Sequence, residues 1–474
     1  MTQTAQKTSP TSTGAPAPAG RSRWPELFWR WAPAVLPTLA MLVAGRFRLR
    51  QPTLGWDENA TWIASQRTGG QIVDLARHFD GVISPYYMFM HFWTAVFGDS
   101  ELAMRAPSLL AVAAGVGVAG ELGRRLFTPG VGLLGGLLLV LVPQLSRYAQ
   151  DARAYGLAFL LATVATLLLY RAVERPGWGR WIAYGVLVTL VGFAHMLALL
   201  VLSGHAFVVL SRWWTGRDRA LLRWIVVTGV ALMPVLPLVY LGLTQRGNQL
   251  DWIPPMNQEQ IWAAPGAIFG SAAAGLLVIG IALAVRWPDR QVTRELAVLA
   301  TLPPVVLIAV SFVASSLWVP RYVLFVVPMI CLLAGLAMPA QREVREPASH
   351  MGANFRAIAG IIEREQQPGD VIVYGTSGTW SLRAGIDYQL RGEQSPRDVL
   401  LTTPAAEAGE LGAVQCADPV ACLGQSPRVW FFRQWKTGEP VSNAGSLTGT
   451  LTSDYRQVQV YTATKATLVL LERR

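Results

Sequence analysis

The chain has 474 residues, of which 52% are hydrophobic and 15% charged, with a mean hydropathy of +0.36. Soluble domains carry about 25% charged residues, and here charge is missing from whole runs such as Val186–Phe193 and Leu296–Val313. This excludes a soluble globular enzyme, a disordered chain and a collagen-like fibre, and the 18 Trp suit a membrane protein with aromatic belts at both interfaces.

A net charge of +11 and a pI near 9.9 would fit nucleic-acid binding, but the distribution of Arg argues otherwise. Arg124–Arg125, Arg217–Asp218–Arg219 and Arg286–Trp287 are short clusters between apolar runs, the positive-inside pattern of cytoplasmic loops. The chain is therefore expected to have the bilayer as its partner, and no nucleic acid.

Residues 1–24 are rich in Thr, Ser, Pro, Ala and Gly and read as a disordered basic tail. No apolar core follows the initiator, so the tail does not read as a cleavable signal peptide. Residues 25–340 read as a membrane domain. Apolar segments of spanning length recur at about 29–45, 104–123, 129–146, 154–171, 181–198, 197–212, 222–243, 265–285, 296–316 and 320–338, about ten in all. The two around His195 could be one broken element. Pro85–Phe97 is too short to span, and its aromatic and Met content suits an interfacial helix. With a cytoplasmic tail, the basic loops fall inside. The loops carrying Asp57–Glu58, Arg147–Arg153, His195, Asp251 and Arg321 fall outside.

Residues 341–474 change character. Asn354–Gln367 reads as an amphipathic helix, and 370–374, 428–432, 457–461 and 467–471 read as short strands of a soluble α/β domain. Ten spans would leave this domain in the cytoplasm. Eleven would place it outside, where Cys416 and Cys422 could pair. The sequence shows neither a CxxC nor a Cys/His zinc spacing.

Four polar islands share the outer face. Asp57 and Glu58 follow the first span, bracketed by Trp56 and Trp62. A carboxylate at a partly dry interface can serve as a general base, although an adjacent acid pair can equally be a solvated loop. Ser146–Tyr155 offers Arg147, Asp151, Arg153, Tyr148 and Tyr155. If residues 149–157 are helical, Gln150, Arg153 and Leu157 share one face, and an Arg there can fork onto a phosphate or simply snorkel. Arg321 and Tyr322 open the last span, within reach of a lipid phosphate. His195 interrupts an apolar run, and His91 lies on the interfacial stretch with Tyr87. A carboxylate base, Arg donors and lipid access on one face suit group transfer from a lipid-linked phosphate. A transporter or flippase of a lipid-linked substrate is the alternative, as is a scaffold presenting the C-terminal domain. Transporters of that kind carry repeats, and none is evident.

These residues resemble a known family. Asp57–Glu58 after the first span is similar to the Asp-Glu motif of GT-C glycosyltransferases of family 39, which includes protein O-mannosyltransferases and lipid A aminoarabinose transferases. Pro85-Tyr86-Tyr87 to His91-Phe92-Trp93, Arg105-Ala106-Pro107-Ser108, Tyr148-Ala149-Gln150-Asp151-Ala152-Arg153-Ala154-Tyr155, Phe193-Ala194-His195 and Pro320-Arg321-Tyr322 extend the likeness over about 50–375. Where many members carry Asp-x-His-Pro-Pro, this chain reads Asp80-Gly81-Val82-Ile83-Ser84-Pro85. The resemblance implies a GT-C fold in a bacterial plasma membrane, with the active site facing outward and no cofactor or metal. It implies an inverting transfer, mannosyltransferase-like, from a polyprenyl-phosphate sugar to an acceptor hydroxyl. In that scheme Asp57 is the base and Glu58 orients Asp57 or the acceptor. Arg153 and Arg321 hold the leaving phosphate, while Tyr155, Tyr322, His195, His91 and Tyr87 line the pocket.

Overall fold

The structure is a computed structural model, and it describes residues 24–250, 252–276, 290–313, 316–332, 352–434 and 439–474. The expected tail, Asp251, the domain boundary near 340 and parts of the segments at 265–285 and 320–338 lie outside the described residues.

The membrane part opens with helix α1 (Trp24–Arg46) and three helices of the stretch that follows it, α2 (Trp56–Ser65), α3 (Gly69–His78) and α4 (Ser84–Phe97). Long helices follow: α5 (Glu101–Leu126), α6 (Pro129–Val140), the short α7 (Pro143–Tyr148), α8 (Tyr155–Glu174), α9 (Trp178–Ala194) and α10 (Val201–Gly216). Then come α11 (Arg223–Leu232), α12 (Leu236–Thr244), α13 (Arg246–Leu250), α14 (Gln258–Phe269), α15 (Arg290–Val313) and α16 (Val327–Cys331). Among the described residues, six helical stretches are long and apolar enough to cross a bilayer, and Pro129–Val140, Trp178–Ala194 and Pro320–Cys331 are shorter apolar helices.

Proline and polar residues set the breaks. The segment at 129–146 is not one helix: α6 ends at Val140, and Pro143, which has no N–H to donate, starts α7. A 3-10 turn at Met233–Val235, carrying Pro234, separates α11 from α12. His195 is extended (φ −160°, ψ 109°), so α9 and α10 are two helices joined by a 3-10 turn at Met196–Leu200. Residues 149–154 are turns and bends rather than helix, so Gln150, Arg153 and Leu157 do not form a face. The side-chain amide of Gln150 instead donates to the Gly45 and Phe47 carbonyls at 2.7 and 2.9 Å, tying the loop to the end of α1.

The core of the bundle is α1, α5, α6 and α8. Glycine lets them touch. A Cβ on Gly120 would lie 1.8 Å from the Pro33 carbonyl oxygen of α1, and one on Gly132 would lie 2.2 Å from the Gly120 oxygen. Lipid tails are as apolar as Leu, so such close small-residue contacts carry helix association in a membrane. Large apolar side chains such as Val43, Val96, Ile182, Val230 and Leu243 point outward, toward hydrocarbon.

The C-terminal part holds α17 (Phe355–Glu365), β1 (Val371–Tyr374), α18 (Thr379–Gln389), β2 (Arg397–Asp398), β3 (Leu401–Thr403), β4 (Val414–Gln415), β5 (Arg428–Gln434), β6 (Tyr455–Ala463) and β7 (Ala466–Arg473). The main sheet runs β2-β1-β5-β7-β6, with β1 parallel to β2 and β5 and the remaining pairs antiparallel. Every residue of β1 is buried, and β7 is buried over its first six, as expected for strands covered on both faces. One apolar cluster packs α17 and α18 on one face, and a second covers the other.

This part docks on the face that carries Asp57. Thr53 Oγ1 donates to the Ala353 carbonyl at 3.0 Å, Tyr388 Oη donates to the Asp99 carbonyl at 3.0 Å, and Arg356 pairs with Glu101. Arg67 reaches the Ala405 and Glu410 carbonyls. Cys416 and Cys422 are joined in a disulfide, and Cys331 is free and buried.

Candidate active site

The site is built on the first turn of α2. Glu58, the third residue of the helix, bends back to accept from the Gly55 N–H at 3.0 Å, satisfying a donor that a helix start leaves unpaired. Its two oxygens then accept from Arg105 Nε and Nη2, both at 2.7 Å, and Oε1 also accepts from the Ala152 N–H at 3.0 Å. Arg105 spends its remaining donors on the Leu49, Pro52 and Thr53 carbonyls at 2.8–3.1 Å. Both side chains are fully buried. One ion pair thus joins the loop after α1, the start of α2, the first turns of α5 and the loop before α8. With its oxygens so engaged, Glu58 has a positioning place in the site rather than an open one.

Asp57 faces the other way and is 41% exposed. Its Oδ1 lies 3.6 Å from Arg153 Nη2, and its Oδ2 lies 3.5 Å from Arg321 Nη2. Two guanidiniums 168 positions apart in the sequence therefore flank one open carboxylate.

Each guanidinium is held from behind. Arg153 Nη1 donates to Tyr87 Oη at 2.9 Å, and Tyr87 Oη donates in turn to Asp80 Oδ2 at 2.6 Å. Asp80 takes a left-handed backbone (φ 55°), which aims its carboxylate back at α4. Burial raises the Asp80 carboxyl above its usual range, while Arg153 and Tyr87 draw it back down. Arg321 lies over the rings of Tyr155, Trp252 and Tyr322 at 5.2, 5.3 and 5.8 Å. His195 packs between Tyr155 (5.4 Å) and Tyr322 (4.9 Å), and its Nδ1 is buried with no hydrogen-bond partner among the described residues.

Asp151, in the loop beside Arg153, is pushed up to about 7, first by burial and then by the Glu58 and Asp57 carboxylates. Beside Arg153, an apolar pocket of about 310 Å³ opens between α4, α5 and α8, lined by Tyr86, Phe89, Trp93, Ser108, Leu110 and Leu157. Ser108 Oγ donates to the Arg153 carbonyl at 3.1 Å, so a residue of the pocket wall is tied to the backbone that carries Arg153.

The structure therefore brings Asp57, Arg153, Arg321, Tyr87, Tyr155, Tyr322 and His195 into one constellation. His91 is apart from these contacts: its Nδ1 meets the Ser65 carbonyl at 3.1 Å, pinning α4 to the end of α2. Sequence reasoning gave no role to Arg105, Asp80 or Trp252. Arg105 had a legible signal, being the lone charge between Leu102 and Gly120, where an intramembrane ion needs a partner. Asp80 and Trp252 are brought in only by the fold. Among the described residues, no group of three or more His, Cys, Asp or Glu converges on a point.

The fold is thus a bundle of apolar helices with an open carboxylate in the stretch after α1 and a small α/β part docked over it. Over its sequence, residues 85–241 match the family model described as dolichyl-phosphate-mannose-protein mannosyltransferase. The fold is similar to that of ArnT from Cupriavidus metallidurans bound to undecaprenyl phosphate, at 14% identity and a TM-score of 0.58, covering 92% of this chain and 97% of that one. The apo ArnT structure from the same organism gives 15% identity over the same coverage, again with a TM-score of 0.58. No curated protein sequence matches the chain.

Proposed function

We propose that this protein moves a glycosyl group from a polyprenyl-phosphate-linked donor to an acceptor hydroxyl on the extracytoplasmic face of the membrane. The observation that carries this reading is the placement of Asp57 between Arg153 and Arg321, open to solvent on its third side. The donor phosphate is held by the two guanidiniums, and the apolar pocket beside Arg153 takes the first prenyl units. The acceptor oxygen attacks the anomeric carbon from the side opposite the phosphate. The bond from that carbon to the phosphate oxygen breaks, and Asp57 takes the hydroxyl proton. Polyprenyl phosphate leaves with one more negative charge, which the guanidiniums offset. A single displacement inverts the anomeric centre. Mannose is the sugar the family model favours, with aminoarabinose next from the family likeness.

The outward orientation is supported by the Cys416–Cys422 disulfide, since such bonds persist in oxidising compartments. The part carrying it docks on the same face as Asp57.

The test uses purified protein in lipid with radiolabelled polyprenyl-phosphate mannose, and in parallel the aminoarabinose donor. Wild type is expected to move label out of the lipid pool from one of them, and Asp57→Asn to lose the activity by roughly 10²-fold or more with its unfolding curve unchanged. Undiminished turnover by Asp57→Asn would refute the assigned base.

A further inference from the structure

We propose that Arg153 and Arg321 are shared between two anions in turn, the Asp57 carboxylate in the donor-free protein and the donor phosphate once it binds, so that donor binding is what frees Asp57 to act as a base. This rests on the reading of the site given above and adds an order of events to it.

Two neighbouring carboxylates are held in opposite ways. Glu58 is locked to Arg105 at 2.7 Å through both oxygens, with both side chains buried. Asp57 meets its two arginines no closer than 3.6 and 3.5 Å and is 41% exposed. Charge-assisted hydrogen bonds settle at about 2.7–2.9 Å, so the Asp57 contacts balance charge without using the arginines' donor capacity. Arg321 Nε is buried and makes no hydrogen bond among the described residues.

The guanidiniums do not depend on Asp57 for their places. Arg153 is anchored through Tyr87 to Asp80, and Arg321 is stacked among Tyr155, Trp252 and Tyr322. Removing the carboxylate leaves both of them aimed at the same point. An anion with several oxygens, such as a phosphate, can accept from both forks at short range where the carboxylate cannot. When it does so, Asp57 loses its two counter-charges while the acceptor arrives, which is when a base is needed. After transfer the proton on Asp57 passes to water. The restored carboxylate then competes for the arginines and helps expel the polyprenyl phosphate product.

The exchange makes a prediction opposite to ordinary loss of a binding residue. The full chain in lipid nanodiscs is titrated with undecaprenyl phosphate, and separately with undecaprenol, which has the tail without the phosphate. Asp57→Asn and Asp57→Ala are each expected to bind undecaprenyl phosphate roughly five- to tenfold more tightly than wild type, because the internal competitor is gone. Undecaprenol binding is expected to stay unchanged. Equal or weaker phosphate binding by both variants overturns the exchange, as does an equal gain with undecaprenol. Arg153→Gln and Arg321→Gln separate the two levels. If both lose phosphate binding while the Asp57 variants show no gain, the site reading stands and the exchange fails. If both bind like wild type, the phosphate reading itself is wrong and the exchange falls with it.

Discussion

Arg105 Nε and Nη2 meet Glu58 Oε1 and Oε2 at 2.7 Å, in a pair that closes over four separate stretches of chain. Breaking a buried ion pair on one side leaves a desolvated charge and costs about 3–5 kcal/mol. Glu58→Ala and Arg105→Ala should each reduce the yield of monodisperse protein and lower its unfolding temperature markedly. Glu58→Gln combined with Arg105→Met should recover part of the loss, because no unpaired charge remains. Size-exclusion profiles and thermal unfolding in one detergent decide this. A single variant that unfolds like wild type would contradict it.

Tyr87 sits between Asp80 and Arg153, donating to one and accepting from the other. Tyr87→Phe deletes both hydrogen bonds and keeps the ring. Hydrogen bonds to charged groups are worth about 1.5–3 kcal/mol, so donor KM or Kd should rise roughly tenfold or more. The fold should be preserved, since the ring still fills its buried place. Asp80→Asn should act in the same direction but more weakly, because an amide oxygen still accepts from the phenol. Steady-state kinetics with varied donor provide the check.

Asp151 gives a pH signature. Its carboxyl is raised in the folded protein to about 7, so the folded state holds this proton more tightly than the unfolded chain, where an Asp titrates near 3.9. The stability this contributes is complete below about pH 4 and is lost as pH rises through about 7. Asp151→Asn should flatten that part of the stability curve. Unfolding temperatures of wild type and variant between pH 4 and 8 test it, and parallel curves would rule it out.

Gly378 lies just before α18 with φ +67°, and a Cβ there would come within 3.2 Å of the Trp56 ring. Trp56 precedes Asp57. Along the same side of α2, Asn59 meets Ser381 at 3.5 Å, and the Trp62 ring meets Tyr388 at 5.3 Å. Residues 56, 59 and 62 are thus one helical stripe resting on the C-terminal part. Gly378→Val adds both left-handed strain and a clash, about 1–3 kcal/mol. Transfer is expected to fall several-fold through kcat, with undecaprenyl phosphate binding not weakened, because Arg153 and Arg321 are held by other elements. A loss confined to donor binding would show that α18 does not position Asp57.

Much of this protein was legible from composition and order. Long runs without charge require a membrane, because only helices satisfy their own backbone there. Short apolar runs at 428–432 and 467–471 marked strands, and Asn354 opened the stretch read as a helix, which it caps by accepting from the Ala357 N–H. Asp57, Arg153, Arg321, Tyr155, Tyr322 and His195 could be grouped because the expected spans put their loops on one side. Their spacing in sequence carries no distances, however. Only the packing of α2, α4, α8 and the turn at Pro320–Val326 brings Asp57 within 3.6 Å of two arginines that lie 168 positions apart in the chain. The same packing separates the roles of adjacent carboxylates. Glu58 points inward to a charge buried in α5, and Asp57 points to solvent, a distinction set by helical rotation and invisible in a dipeptide. The side on which the C-terminal part docks was also beyond the sequence, since counting spans left it open. It was decided by contacts such as Tyr388 to Asp99, made between residues whose partners no local pattern could name.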